Sequence, residues 1–369
     1  MKKVLILGVA SVQMDAINLL KEMDHEVHAC AMANDGPGAE AADYFSLINI
    51  LDRVNIENYI KENDIDLVYS VGSDMAIPVS AGISQQMGMP RFISEETATI
   101  CNNKDLMRSA LTNDFYGNVP FQVLADKAEI LAIPYPFIMK PTDSQGQRGV
   151  VLVKDYDEFL SGFDKTQSYS RSGKVILERY IDGPELSVNG YMVDGELKFL
   201  VHSDRDTWTN FTGLIHKHIV PTKYDSIKLA ENLKRVMLTA SNKLGIKNGP
   251  VYAQVKIEED NPYIIEITPR LDGCHMWKLL TYYSGVNLLK LTFEHLLSGD
   301  VSELGKQKKS EETYILEFIC QEPNTKADYV KYANQLNDSL DSFTYYQQGD
   351  NIRPVNGKFD KIGYFIYKE

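Results

Sequence analysis

The apolar positions of the first ninety residues switch between two periods. "KVLILGV" is a continuous apolar run beginning at Lys3, as a parallel strand covered on both faces requires. Ile17, Leu19, Leu20 and Met23 then mark one stripe of a helix. "HEVHACAM" and "DLVYSVG" read as further strands, with "NIENYIKEND" as the helix between them. This alternation predicts a doubly wound, Rossmann-like α/β domain over residues 1–95. Its first strand–helix turn, "LGVASVQ", carries only Gly8, and Asp35 lies in a Gly/Pro-rich loop. A dinucleotide pyrophosphate needs more glycine than that for close backbone approach, so this domain is not expected to bind one.

From Ser94 the run "SEETATICNNKDLMRSALTNDF" predicts helical structure opened by a capping box. "YPFIMKP" and "GVVLVKD" are strands joined by "TDSQGQR". The mixed α+β pattern continues to about residue 295, giving a central domain over 96–305 whose smaller lid covers about 120–185. The tail holds "TYILEFICQ", a helix near 326–338, "SFTYYQQGDNI" and "KIGYFIYKE", a small β-rich α+β domain over 306–369. The chain has no internal repeats.

Within the central domain, "VYAQVKI" alternates, "EEDNP" is turn chemistry, and "YIIEI" resumes the alternation. If residues 258–262 form the loop, Ile257 pairs with Tyr263 and Gln254 falls opposite Glu266. Cross-strand partners on one face lie about 5 Å apart at Cβ. Gln254, Glu266 and Thr268 then project oxygens from one face, with Arg270 just beyond. Such a face meets either water or a hard cation such as Mg²⁺, which takes one or two protein oxygens alongside water and phosphate.

The net charge of −13, with no basic block, argues against nucleic acid or an anionic membrane as the main partner. No stretch approaches 18 apolar residues, and the N-terminal apolar run is broken by Gly8, Gln13 and Asp15, unlike a signal peptide. Cys30, Cys101, Cys274 and Cys320 are widely spaced, which suits a reducing, cytoplasmic setting. No Ser–His–Asp or Cys–His nucleophile arrangement is recognisable.

Several further residues invite a phosphate reading, each with a plainer alternative. Lys140 ends an apolar strand, where its ammonium meets an anion or snorkels to water. "SQGQRG" (Ser144, Gly146, Arg148 and Gly149) is either a phosphate cradle or a simple hairpin turn. Glu178 and Glu185 flank a "DGP" turn, either as nucleotide contacts or as exposed strand ends. Lys104 opens a helix as a phosphate contact or a solvated surface residue.

Taken in order, Lys104, "IMKP", "SQGQRG", "LERYIDGPEL" and "IIEITPR" resemble the ATP-grasp superfamily. More narrowly they are similar to its carbamoyl-phosphate-synthetase, biotin-carboxylase and amino-acid-ligase branch. The resemblance implies an ATP-grasp fold with a pre-ATP-grasp domain, and nucleotide held between two subdomains. Lys104 and Lys140 would hold phosphates under the 144–149 loop. Glu178 and the backbone at Tyr180 and Ile181 would read adenine, and Glu185 would hold ribose. The family's metal-bearing hairpin maps onto Gln254 and Glu266, with Mn²⁺ as an alternative to Mg²⁺. Thr268 stands where the family's "E-x-N-P-R" has Asn, and Gln254 where many members have a carboxylate, which leaves one or two ions open. Arg270 would hold an acyl phosphate or its parent carboxylate. Asp272, Gly273 and His275 lie where relatives position a second substrate, and His202, Arg205, His216 and His218 are further candidates for its pocket.

The expected activity is an ATP-dependent carboxylate–amine ligase acting on small molecules, with Arg270, Lys140 and Glu266 carrying the chemistry and a homodimer as a suggested assembly. A bicarbonate-activating carboxylase subunit and a nucleotide-binding regulator without turnover are the alternatives.

Overall fold

The computed structural model describes residues 1–144, 148–209, 211–354 and 359–369. The chain divides into two compact units. The first comprises Met1–Phe92, Lys198–Asp225 and Arg270–Glu369, and the second Ile93–Leu197 and Ser226–Pro269.

In the first unit the apolar run becomes the strand Lys3–Leu7, with Val4 to Leu7 fully buried. It lies between the parallel strands Glu26–Ala31 and Leu67–Tyr69, and Tyr44–Leu47 adds an edge. That edge strand escapes sequence reading because Tyr44 and Leu47 are exposed, so no burial pattern marks it. The helix Arg53–Asn63 starts where Asp52 accepts a bond from Asn55 N at 3.2 Å, and stops at left-handed Asp64.

The same unit contains an antiparallel series, Glu196–Trp208, Phe211–Val220, Tyr314–Gln321, Asp360–Lys368 and Asp341–Thr344. The helix expected near 326–338 shrinks to Ala333–Asp338 after a 3₁₀ turn at Val330–Tyr332. The reason is local. Ala327 N donates to Asp350 O, Tyr329 N to the Gln348 side chain, and Lys326 bridges to Asn351, so these backbone groups are spent on a loop rather than on a helix.

In the second unit Phe121–Leu124, Val175–Arg179, Phe137–Pro141 and Val151–Val153 form an antiparallel sheet. Phe159 and Phe163 of the helix Tyr156–Gln167 pack into its core with Phe137, Met139 and Leu177. The run from Ser94 forms two helices, Glu95–Asn102 and Lys104–Leu111, parted by extended Asn103. Ser94 caps the first through Thr97 N at 3.1 Å, and the third helical position is Thr97 rather than a glutamate.

A second antiparallel set joins Glu185–Val193, Gly249–Glu258 and Asn261–Thr268. Its hairpin differs from expectation in two ways. The turn is two residues, Glu259 and Asp260, both at positive φ, so Ile257 pairs with Pro262 rather than Tyr263. The register then slips by one residue opposite Gln254 and Val255. The shorter turn and the bulge cancel, and Gln254 does face Glu266.

Candidate functional site

The bulge decides what the hairpin presents. Ile264 and Ile267 both stay buried on the core face, pairing with Val255 and Ala253. Glu266 and Thr268 pair with Gln254 and Tyr252 on the other. The adjoining strand extends that face, since Ser187 opposes Gln254 and Glu185 opposes Lys256. Gln254 Nε2 donates to Glu185 Oε1 at 2.6 Å, which leaves the amide oxygen of Gln254 directed elsewhere. Ser187 Oγ and Asn189 Nδ2 are buried there with no hydrogen-bond partner among the described residues.

Among the described residues no group of three or more His, Cys, Asp or Glu side chains is arranged to hold a metal. The donor set of this face is instead mixed: carboxylates from Glu266 and Glu185, an amide from Gln254 and a hydroxyl from Thr268. Oxygen donors of that kind fit a hard divalent cation that keeps part of its water shell.

A buried ion cluster lies in the same unit. Glu178 Oε2 meets Lys140 Nζ at 2.7 Å, and Oε1 accepts from Arg108 Nε at 2.9 Å. Burial alone would raise the Glu178 carboxyl, but Arg108 and Lys140 outweigh it and hold the pKa at about 2. Burial lowers the pKa of Lys140, Glu178 opposes that, and Arg108 and Lys104 add to it. Glu178 is therefore the counter-charge of Lys140, a role that strand-end reading of either residue misses. Lys104 Nζ donates to the Ser144 carbonyl at 2.7 Å, so these two candidates do meet.

The turn after Glu178 is latched to the hairpin. Lys256 Nζ donates to the carbonyls of Ile181 at 3.1 Å and Gly183 at 3.0 Å, and its ammonium lies over the Tyr180 ring. Gly183 has no room for a side chain, since a Cβ there would stand 1.8 Å from Ile257 O. Gly149 has φ +73° and its carbonyl accepts from Thr166 Oγ1 at 3.2 Å. Arg148 belongs to the same turn, whereas Gly146 lies outside the described residues.

The remaining candidates belong to the first unit. Asp74 receives Arg270 Nη2 at 2.8 Å and Nε at 2.5 Å, and Arg270 Nη1 donates to Leu271 O. No local signal in the sequence marks Asp74, which lies 196 residues from its partner. Asp272 accepts from Cys274 N at 3.2 Å; burial raises its pKa, while Arg270, Arg205 and Lys361 lower it. Gly273 passes close against Gly72.

His218 pairs in register with Arg205 and is fully buried. Burial pushes it well below the ordinary histidine value, helped by Arg205 and Lys361. His202 is likewise lowered by burial. His216 is placed differently, its ring tilted against that of Trp208 with centroids 3.8 Å apart and meeting Glu317 at 3.1 Å.

One cluster joins residues that no sequence motif marks. Ser11, His275 and Asp15 do come together, with His275 Nδ1 2.7 Å from Asp15 Oδ2 and Nε2 3.4 Å from Ser11 Oγ. Ser11 and Asp15 are neighbours on one helix, but His275 lies 260 residues from Asp15, too far for a local motif to reveal the trio. The arrangement is poor for nucleophilic catalysis, because Tyr345 Oη is closer to Nε2, at 3.2 Å, and His275 is 1% exposed. It pins the left-handed residue that opens the helix Met276–Ser284.

A buried lysine–glutamate pair, a glycine turn latched to a hairpin, and an oxygen-bearing β-ribbon occur here in one chain order. Residues 133–277 match the family described as the ATP-grasp domain. That segment is similar to the ATP-grasp domain, and the chain has the ATP-grasp fold.

It is 27% identical over 189 residues to the formate-dependent phosphoribosylglycinamide formyltransferase of Prochlorococcus marinus (strain NATL1A), covering 49% of this chain and 48% of that protein. It is 24% identical over 284 residues to alanine–anticapsin ligase of Bacillus amyloliquefaciens, covering 68% and 58%. The chain thus spans about half the length of the curated relatives it matches. The L-amino acid ligase from Bacillus licheniformis shares the fold at a TM-score of 0.83 and 18% identity, covering 100% of this chain and 93% of that one. No helix among the described residues is long and apolar enough to cross a membrane.

Proposed function

We propose that the chain is an ADP-forming carboxylate–amine ligase whose substrates are small molecules, among them an amino acid or a carboxylated metabolite. The observation that carries this reading is the pairing of Gln254 with Glu266 on one face of a bulged hairpin inside the matched ATP-grasp segment. The likeness to alanine–anticapsin ligase and to an L-amino acid ligase supports an amino-acid substrate.

A carboxylate oxygen of the substrate attacks the γ-phosphorus of ATP, ADP leaves, and an acyl phosphate forms. The amine then attacks the acyl carbon, phosphate leaves, and the nitrogen loses a proton to give the amide. No side-chain nucleophile is needed, which agrees with the obstructed Ser11–His275 pair. Lys140, paired with Glu178, and Lys104 neutralise phosphate oxygens. Glu266 and Gln254 would hold Mg²⁺ or Mn²⁺, which supplies charge neutralisation for the polyphosphate. Arg270 holds the carboxylate and then the acyl phosphate formed from it, and Asp74 orients its guanidinium.

The test is a screen of paired acids and amines with ATP, read by mass spectrometry for ADP or AMP and for the condensed product. ADP with an amide product is the expected result. Glu266→Gln and Arg270→Ala should each remove turnover while circular dichroism stays unchanged, and near-wild-type rates in either variant remove that residue from the mechanism. Bicarbonate-dependent ADP release without an amine would overturn the ligase in favour of a carboxylase.

A further inference from the structure

Arg108 belongs to none of the motifs noted in the sequence, yet its side chain is fully buried and makes four hydrogen bonds to four residues. Nε holds Glu178 Oε1 at 2.9 Å, and through Glu178 it reaches Lys140. Nη1 donates to Asn118 Oδ1 at 3.0 Å and to Ile264 O at 2.6 Å, and Nη2 donates to Ile265 O at 3.2 Å. Asn118 in turn donates to the Arg108 carbonyl at 3.0 Å, closing the cluster.

Ile264 and Ile265 lie where the hairpin register slips. Without the slip the pairing of Val255 with Ile264 would continue, and Gln254 would oppose Ile265. Glu266 would then oppose Ala253 and turn to the apolar face, because side chains alternate along a strand. The bulge alone sets the face on which Glu266 emerges, and Arg108 is bonded to both carbonyls there.

A buried arginine is costly as a space-filler, since a methionine of similar volume needs no counter-charge. Its planar fork, however, can bond a carboxylate on one edge and carbonyls on another in fixed geometry, which a lysine cannot do.

Building on the ligase reading above, we infer that Arg108 is a positioning residue that locks the hairpin bulge and the Lys140–Glu178 pair into one frame. It thereby sets Glu266 against Gln254 while Glu178 is held against Lys140. The role is distinct from that of any residue touching nucleotide or metal.

The experiment measures Mn²⁺ binding to the full chain in saturating ADP, by electron paramagnetic resonance, for wild type, Arg108→Lys, Glu266→Gln and the double variant. Arg108→Lys should stay folded by circular dichroism and bind Mn²⁺ at least tenfold more weakly. In the Glu266→Gln background the same change should have no further effect, because the group it positions is gone. A purely structural role would lower the melting temperature and leave the Mn²⁺ affinity of the folded protein unchanged, and that result overturns the inference. So does an effect that persists undiminished alongside Glu266→Gln. If Arg108→Lys does not fold, Asn118→Ala, which loosens the guanidinium without removing its charge, takes its place, with a threefold or greater loss expected and no loss overturning. Wild type that fails to bind Mn²⁺ with ADP would overturn the ligase reading as well, whereas binding that is merely unchanged in the variant sinks this inference alone.

Discussion

Glu178→Gln is the sharpest perturbation that the second unit offers. The carboxylate is 3% exposed and its two oxygens are held by two buried cations, so solvent does little to screen the contacts. Holding a carboxyl at about 2 against an ordinary 4.5 corresponds to about 3 kcal/mol of folded-state stability at pH 7. Removing one partner of a buried ion cluster independently suggests about 3–5 kcal/mol, because Arg108 and Lys140 are left uncompensated. The folded pKa is depressed, so this stability is present in full above about 4.5 and disappears as pH falls through about 2. Urea unfolding followed by circular dichroism should therefore show a deficit of about 3 kcal/mol at pH 7, shrinking to about 2 kcal/mol at pH 3.5. Amides of Val175–Arg179 and Phe137–Pro141 should lose about a hundredfold in hydrogen-exchange protection at neutral pH. A deficit below about 1 kcal/mol, or one that does not change with pH, would refute the assignment of Glu178 as the counter-charge.

Two other predictions concern different parts of the molecule. Gly183→Ala places a methyl against the Ile257 carbonyl, so it should cost about 1–3 kcal/mol in urea unfolding and weaken ADP binding measured by calorimetry. His218 has its pKa lowered by burial, so below its ordinary value of 6.5 the unfolded chain takes the proton first and stability falls as pH drops. Melting curves between pH 7.5 and 5.5 should show that fall reduced in His218→Leu, and an identical slope in the variant would remove His218 as its source.

The sequence by itself determined three of the four strands of the parallel sheet, the hairpin and the order of the candidate-site elements, because these depend on side-chain period and on short turn signals. The run at Lys3–Leu7 is buried as its unbroken apolar character demands. Even the meeting of Gln254 and Glu266 was legible, although through a compensation that the sequence hides: the turn is shorter than "EEDNP" suggests, and a bulge restores the phase. What only the tertiary structure decided is which charges neutralise one another. Arg108 finds Glu178 across 70 residues and the Ile264 carbonyl across 156, Arg270 finds Asp74 across 196, and His275 finds Asp15 across 260. Periodicity reports only that a position is buried or wet. The partner that makes a buried charge tolerable is chosen by packing between distant segments, and no local pattern in the chain encodes that choice.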